Sequence, residues 1–285
     1  MKSLIALTIA LFLTGSVHAQ SCCETGSHKT GPSATAKFAK LAADSTFRMS
    51  HQEPMGKGET MTTGGTMITI PVADGKPAFA FEVKPATQTG NVLLVFHEWW
   101  GLNDHIRAEA IRLADSLGSV RVLALDLYDG KVTAKREEAG QLMQASTAER
   151  SQAIIRGALQ YVGKDANVLT VGWCFGGGWS HQAALLAGKQ ASASVIYYGM
   201  PESDPEKLKS LHADVLGIFA RKDGWINEKV VSSFESAMKT AGKPVTIAWY
   251  EADHAFANPS NPKHDGTMAA DAMRKTVAFL RSHLK

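Results

Sequence analysis

The most constraining stretch of this chain is Val168-Leu-Thr-Val-Gly-Trp-Cys-Phe-Gly-Gly-Gly178. The apolar run Val168 to Val171 reads as a buried strand, and the glycines behind it mark a sharp turn. The segment Trp179 to Ala187, rich in Ala and Leu, reads as the helix that follows. Between them, Gly172-Trp-Cys174-Phe-Gly176 has the form of a nucleophile elbow, which exposes one reactive side chain on a strand-to-helix corner. A Cβ at either bracketing glycine would crowd such a turn. The positive end of a helix dipole also favours a thiolate there. A free cysteine is otherwise most often a small buried hydrophobe, and its partners along the chain decide between the two readings.

The rest of the sequence alternates strand and helix. Met67 to Val72 and Ala78 to Val83 flank Asp74-Gly75, the signature of a hairpin. Val92 to Phe96, Val120 to Leu125, Ala193 to Tyr198, Val215 to Ala220 and Val245 to Tyr250 read as further strands. Helical patterns fill the intervals at Asp104 to Leu117, Ala134 to Ala145, Thr147 to Val162, Asn227 to Ala241 and Thr267 to Leu284. This order predicts an α/β fold: a mostly parallel twisted sheet with helices on both faces, entered through an N-terminal antiparallel hairpin.

In such a sheet, sites gather beyond the carboxyl ends of the strands. Cys174, Asp223 and His254 each fall just past one strand. A histidine can take the thiol proton and return one to a leaving group, while an aspartate fixes its tautomer. Asp253 competes for the aspartate role, but its adjacency to His254 makes it hard to place across the ring. After Val92 to Phe96 comes His97-Glu98-Trp99-Trp100-Gly101. A zinc helix would need a second histidine where Gly101 stands, so no metal is expected. This loop instead offers the Trp99 backbone N–H which, with that of Phe175, would form an oxyanion hole. Glu98 places a carboxylate beside the cysteine, or is merely a solvated loop charge.

Residues 1–19 have the pattern of a secretory signal peptide: Lys2, an apolar run from Leu4 to Leu13, and Val17-His-Ala19 as the cleavage site. Cleavage would take the formal charge from +3 to +2 and imply a periplasmic location. An uncleaved membrane anchor and a lipoprotein attached through Cys22 are the alternatives, and no later stretch is apolar enough to span a bilayer. Residues 20–65 form a polar arm in which only Ala34 to Ala43 has helical character, leaving 66–285 as one domain. Cys22 and Cys23 read as incidental thiols of that arm. The small net charge, without a Lys/Arg block, gives no reason to expect nucleic acid as a partner.

Gly-Trp-Cys174-Phe-Gly-Gly, the Glu98 loop, Asp126-Leu-Tyr128, Tyr197-Tyr198-Gly199 and the Asp223/His254 pair together resemble the dienelactone hydrolase family over roughly residues 66–285. The resemblance implies the α/β-hydrolase fold, no cofactor, and opening of small esters or lactones through an acyl-enzyme on cysteine. It also implies that Glu98 holds the resting thiol less reactive until substrate displaces it. The dienelactone enzymes bind the substrate carboxylate with arginines, one of them four residues after the catalytic histidine, where this chain has Asn258. No arginine stands near Tyr128 either, although Lys131 offers a point charge. These departures, together with the secretory pattern, point away from dienelactone itself. Trp99, Tyr128 and Asn258 are the candidate pocket residues, with Trp100, Trp179 and Trp225 as further aromatic candidates. The reading from another class is a non-catalytic periplasmic binding protein on a hydrolase scaffold.

Overall fold

The computed structural model describes residues 34–55 and 64–285. The signal sequence, Cys22 and Cys23 lie outside the described residues. Eight strands form one sheet: β1 (Thr66–Ile70), β2 (Ala78–Val83), β3 (Asn91–Phe96), β4 (Arg121–Asp126), β5 (Asn167–Trp173), β6 (Ala191–Tyr197), β7 (Asp214–Ala220) and β8 (Val245–Tyr250). Their spatial order is β1-β2-β4-β3-β5-β6-β7-β8, antiparallel at β1–β2 and β2–β4 and parallel from β4 onward. The hairpin and the parallel sheet are therefore as the sequence predicts.

Strands β3 and β5 are buried along their whole length, which is why they read as continuous apolar runs rather than alternating ones. The helices are α1 (Ala34–Leu41), α2 (Ser45–Ser50), α3 (Asp104–Leu117), α4 (Arg136–Ala145), α5 (Ala148–Val162), α6 (Phe175–Ala187), α7 (Pro205–Leu208), α8 (Glu228–Thr240) and α9 (Gly266–Arg281). Side-chain oxygens of Asn103, Thr147, Asn227 and Asp265 cap α3, α5, α8 and α9 by accepting from the backbone N–H three residues on.

Helix α6 begins at Phe175 rather than at Trp179, so three glycines lie inside its first turn. Close packing explains them. A Cβ on Gly177 would sit 2.7 Å from the Tyr197 carbonyl oxygen, and one on Gly178 would sit 3.0 Å from that of Met200. The helix presses its opening turn onto the backbone that follows β6, and the tight approach offsets the propensity cost of glycine, about 1 kcal/mol each.

The arm departs from expectation more strongly. Besides α1 it contains α2, with Asp44 accepting from the Thr46 N–H at its start. Phe38 and Phe47 are buried and pack edge to face, with ring centroids 5.7 Å apart. Phe47 also meets Trp99 at 5.9 Å and Trp225 at 5.4 Å. The described part of the arm is thus joined to the core.

Candidate active site

Four strand ends build the site. Cys174 follows β5, Asp223 follows β7, His254 follows β8, and the loop carrying Glu98 and Trp99 follows β3. Because these strands are parallel, all four endings lie at the same edge of the sheet.

Cys174 sits at the junction of β5 and α6 with φ 55° and ψ −116°. That conformation is costly for any side chain bearing a Cβ, on the order of 1–3 kcal/mol. The surroundings enforce it. A Cβ on Gly172 would fall 2.1 Å from the Gly176 oxygen, and one on Gly176 would fall 2.3 Å from the Phe96 oxygen. Only glycine lets the turn close and lets the loop after β3 lie against it. Among the described residues, four non-glycine positions have positive φ: Asp129, Cys174, Tyr198 and Ala255. The last three surround the site, where backbone strain tends to gather.

His254 Nδ1 lies 2.5 Å from Asp223 Oδ2, so the carboxylate accepts from Nδ1–H and leaves Nε2 for the cysteine side. Asp223 Oδ1 also accepts from the N–H groups of Trp225 (2.8 Å) and Ile226 (2.9 Å). Burial raises the Asp223 carboxyl, but the His254 ring and these N–H groups outweigh it, and the net shift is downward. Burial likewise disfavours a charged His254, yet Asp223 and then Cys174 hold it well above its ordinary value. The rival Asp253 is turned to Lys263, at 2.7 Å, and plays no part in the pair.

The Cys174 thiol is pushed up by burial, with His254 pulling the other way and Glu98 adding to the rise. The helix N-terminus alone would lower it, but the side chain is 2% exposed and desolvation dominates. Burial therefore works against a resting thiolate, while His254 favours one. Glu98 is also buried, which lifts its carboxyl to about 7 against the opposing pull of His254, Asn258 and Tyr198. Asn258 Nδ2 donates to Glu98 Oε2, and the Tyr198 hydroxyl donates to Oε1 at 3.4 Å. A solvated loop charge is excluded for Glu98.

The cavity beside Cys174 is lined by Glu98, Trp99, Trp100, Ala255, Asn258 and arm residues including His51. It is small, about 20 Å³, room for a water or two. A second small cavity lies across Glu98 and Asn258, which line both. Trp99 and Asn258 both line this cavity. Tyr128 does not line this cavity; it packs on Phe175, with centroids 5.4 Å apart, and with Lys131 faces another one. Trp179 is core, and Trp225 is held by the arm through Ser50 Oγ, at 3.3 Å from its Nε1. His97 directs both ring nitrogens to backbone, Nδ1 at 2.6 Å from the Glu98 carbonyl oxygen and Nε2 accepting from the Leu127 N–H at 3.1 Å.

One wall residue escapes the sequence reading altogether. His51, at the end of α2, meets the His254 ring with centroids 4.9 Å apart and that of Trp99 at 4.6 Å. Burial first, then the neighbouring His254, push its value down to about 3, so it is neutral. One coordinating atom from each of His51, Cys174 and His254 lies within 4.8 Å of the others. Nothing in a short polar segment marks that histidine; its position depends on Phe47 reaching the core.

A parallel sheet whose strand ends present a strained cysteine, a histidine and its aspartate defines the α/β-hydrolase class. The dienelactone hydrolase family description matches residues 79–284, and the chain belongs to that family, as a hydrolase of carboxylic esters or lactones. Among curated relatives, the chain is 28% identical to Protein usf of Aquifex pyrophilus, over 68% of this chain and 89% of the relative. It is 25% identical to the carboxymethylenebutenolidase of a Pseudomonas species, over 69% and 87%. Solved structures with the same fold include a dienelactone hydrolase-like promiscuous phosphotriesterase from metagenomic libraries, with a TM-score of 0.66, 20% identity, and coverage of 78% of this chain and 100% of that one. The dienelactone hydrolase of Anabaena variabilis gives 0.56, also at 20% identity and the same coverage. The described arm precedes the family match, so His51 lies outside it.

Proposed function

We propose that this protein is an exported cysteine hydrolase of small, uncharged esters or lactones, acting through an acyl-enzyme on Cys174. The observation that carries this reading is the Asp223–His254 pair at 2.5 Å beside a cysteine held at positive φ. His254 Nε2 takes the thiol proton, and Asp223 stabilises the resulting imidazolium. The sulfur attacks the substrate carbonyl, forming a C–S bond, while the oxyanion is received by the N–H groups of Trp99 and Phe175. Collapse expels the alkoxide, which takes the proton from His254. Water, deprotonated by His254, then cleaves the thioester, releasing the acid and restoring the thiol. Glu98 disfavours the thiolate at rest, and its displacement by substrate would remove that penalty and open the wall between the two cavities.

The described residues lining the cavity include no lysine or arginine, and Asn258 spends its amide on Glu98. A substrate carboxylate would meet Glu98 without a counter-charge, so neutral substrates are favoured. Steady-state kinetics on matched neutral esters and anionic lactones test this: kcat/KM is expected to be at least as high for the neutral series, and a strong preference for the anion would overturn it. Export rests on the leader pattern of residues 1–19. The mass of protein recovered from the periplasm should correspond to a chain starting at Gln20; an intact leader on protein retained in the cytoplasm would refute export.

A further inference from the structure

The arm does more than cover the site. His51 Nδ1 lies 2.8 Å from the Phe47 carbonyl oxygen, which can only accept, so that nitrogen carries the proton and Nε2 carries a lone pair. His51 is 7% exposed, and its Nε2 is buried without a partner. His254 has the same kind of anchor: its Nδ1–H points to Asp223, and its Nε2 is left to the Cys174 sulfur. Two imidazoles therefore converge on one buried sulfur. Each has its other ring nitrogen anchored to an oxygen acceptor, the arrangement that fixes metal-ligating histidines.

We propose that Cys174, His254 and His51 form a binding site for a divalent cation of the zinc class, and that filling it silences the thiol. One sulfur and two nitrogens suit that cation, at about 2.3 Å and about 2.0–2.1 Å respectively. Tetrahedral ligands at those lengths stand roughly 3.3–3.6 Å apart. With the three atoms within 4.8 Å of one another, the site closes by a shift of about 1 Å. His51 is placed to make it, since it terminates a six-residue helix and turns about two side-chain torsions. On binding, the protons held by Cys174 and by His254 Nε2 leave to solvent, the thiolate and both Nε2 lone pairs bind the cation, and water takes the fourth position. No electron is transferred. The sulfur and His254 are then both engaged, so neither acylation nor deacylation proceeds until a chelator removes the ion.

The binding stands independently of the hydrolase reading, while the silencing rests on it. The test uses full-length mature protein, reduced and metal-free, with Cys22 and Cys23 replaced by serine so that only the proposed site contributes. Zn²⁺ binding is measured by competition with a chromophoric chelator, and Co²⁺ reports sulfur ligation through its thiolate charge-transfer band. One ion per chain is expected. The His51→Asn variant should weaken binding at least tenfold, and Cys174→Ser should abolish the band. His51→Phe, which keeps an aromatic ring against Trp99, guards against a misfolded variant, and circular dichroism checks each protein. Unchanged affinity in both His51 variants, or no binding by the folded parent, would overturn the site. Binding without inhibition of ester turnover would overturn the silencing, whereas binding by a protein that hydrolyses nothing would leave the site standing and sink the function proposed above.

Discussion

The carboxyl edge of the sheet carries Cys174, Asp223 and His254 on turns whose backbone is dictated by close packing. The described arm reaches the same cavity through one short helix held by Phe47. The two regions solve the same problem differently. In the core, the Gly172 and Gly176 contacts leave the cysteine no other conformation. In the arm, His51 is placed by an aromatic cluster of Phe38, Phe47, Trp99 and Trp225, with polar ties such as Arg48 to Glu137 and the Met55 N–H to the Ser260 oxygen beside it. A site can thus have a wall contributed by a segment with little periodicity of its own, provided that one large side chain is buried deeply enough to anchor it.

The comparison is broken most severely at the core. Asp223→Asn keeps the shape but presents an amide to His254, and kcat/KM should fall on the order of 10³–10⁴-fold. A fall of less than tenfold in ester hydrolysis would mean that the pair is structural. In the arm, Phe47→Ala removes a fully buried ring and should cost about 3–5 kcal/mol, read in denaturant unfolding. An unchanged midpoint would show that the arm is not part of the cooperative unit.

Glu98 sharpens the comparison through pH. Its folded-state value of about 7 exceeds the ordinary 4.5, so the folded protein keeps a proton that the unfolded chain has lost. Stability is accordingly lost as pH rises through that window, by roughly 3 kcal/mol in total. Glu98→Gln should flatten the decline and gain on the parent above neutral pH. Parallel pH curves for the two proteins would mean that Glu98 is ionised throughout.

How much of this was legible in the sequence differs by region for physical reasons. Buried parallel strands announce themselves as apolar runs, so β3 and β7 were found within a residue; β8, a half-exposed edge strand, showed itself by its β-branched and aromatic residues. Three chemical residues stood just past strand ends, where position along the chain is a direct guide to position in space. The start of α6 was hidden because its glycines answer to β6 and the loop beyond it, not to helix propensity. Asn258 showed its lack of charge but not its bond to Glu98, and Tyr128 showed its aromatic ring but not which side of Phe175 it occupies. His51 could not be found from its neighbours, since only the burial of Phe47 brings it to the cysteine. Of the two candidate aspartates, one-residue adjacency to His254 argued against Asp253, whose charge goes to Lys263, while Asp223 meets the His254 ring.

The central claim is covalent chemistry at Cys174, and mass spectrometry of the quenched enzyme during turnover of a chromogenic acetyl ester tests it most directly. An acetyl adduct should map to Cys174, form and decay at rates that match turnover, and vanish in Cys174→Ala together with a loss of activity on the order of 10⁴-fold or more. Full turnover by a folded Cys174→Ala protein, or an adduct that maps to another residue, would contradict the account.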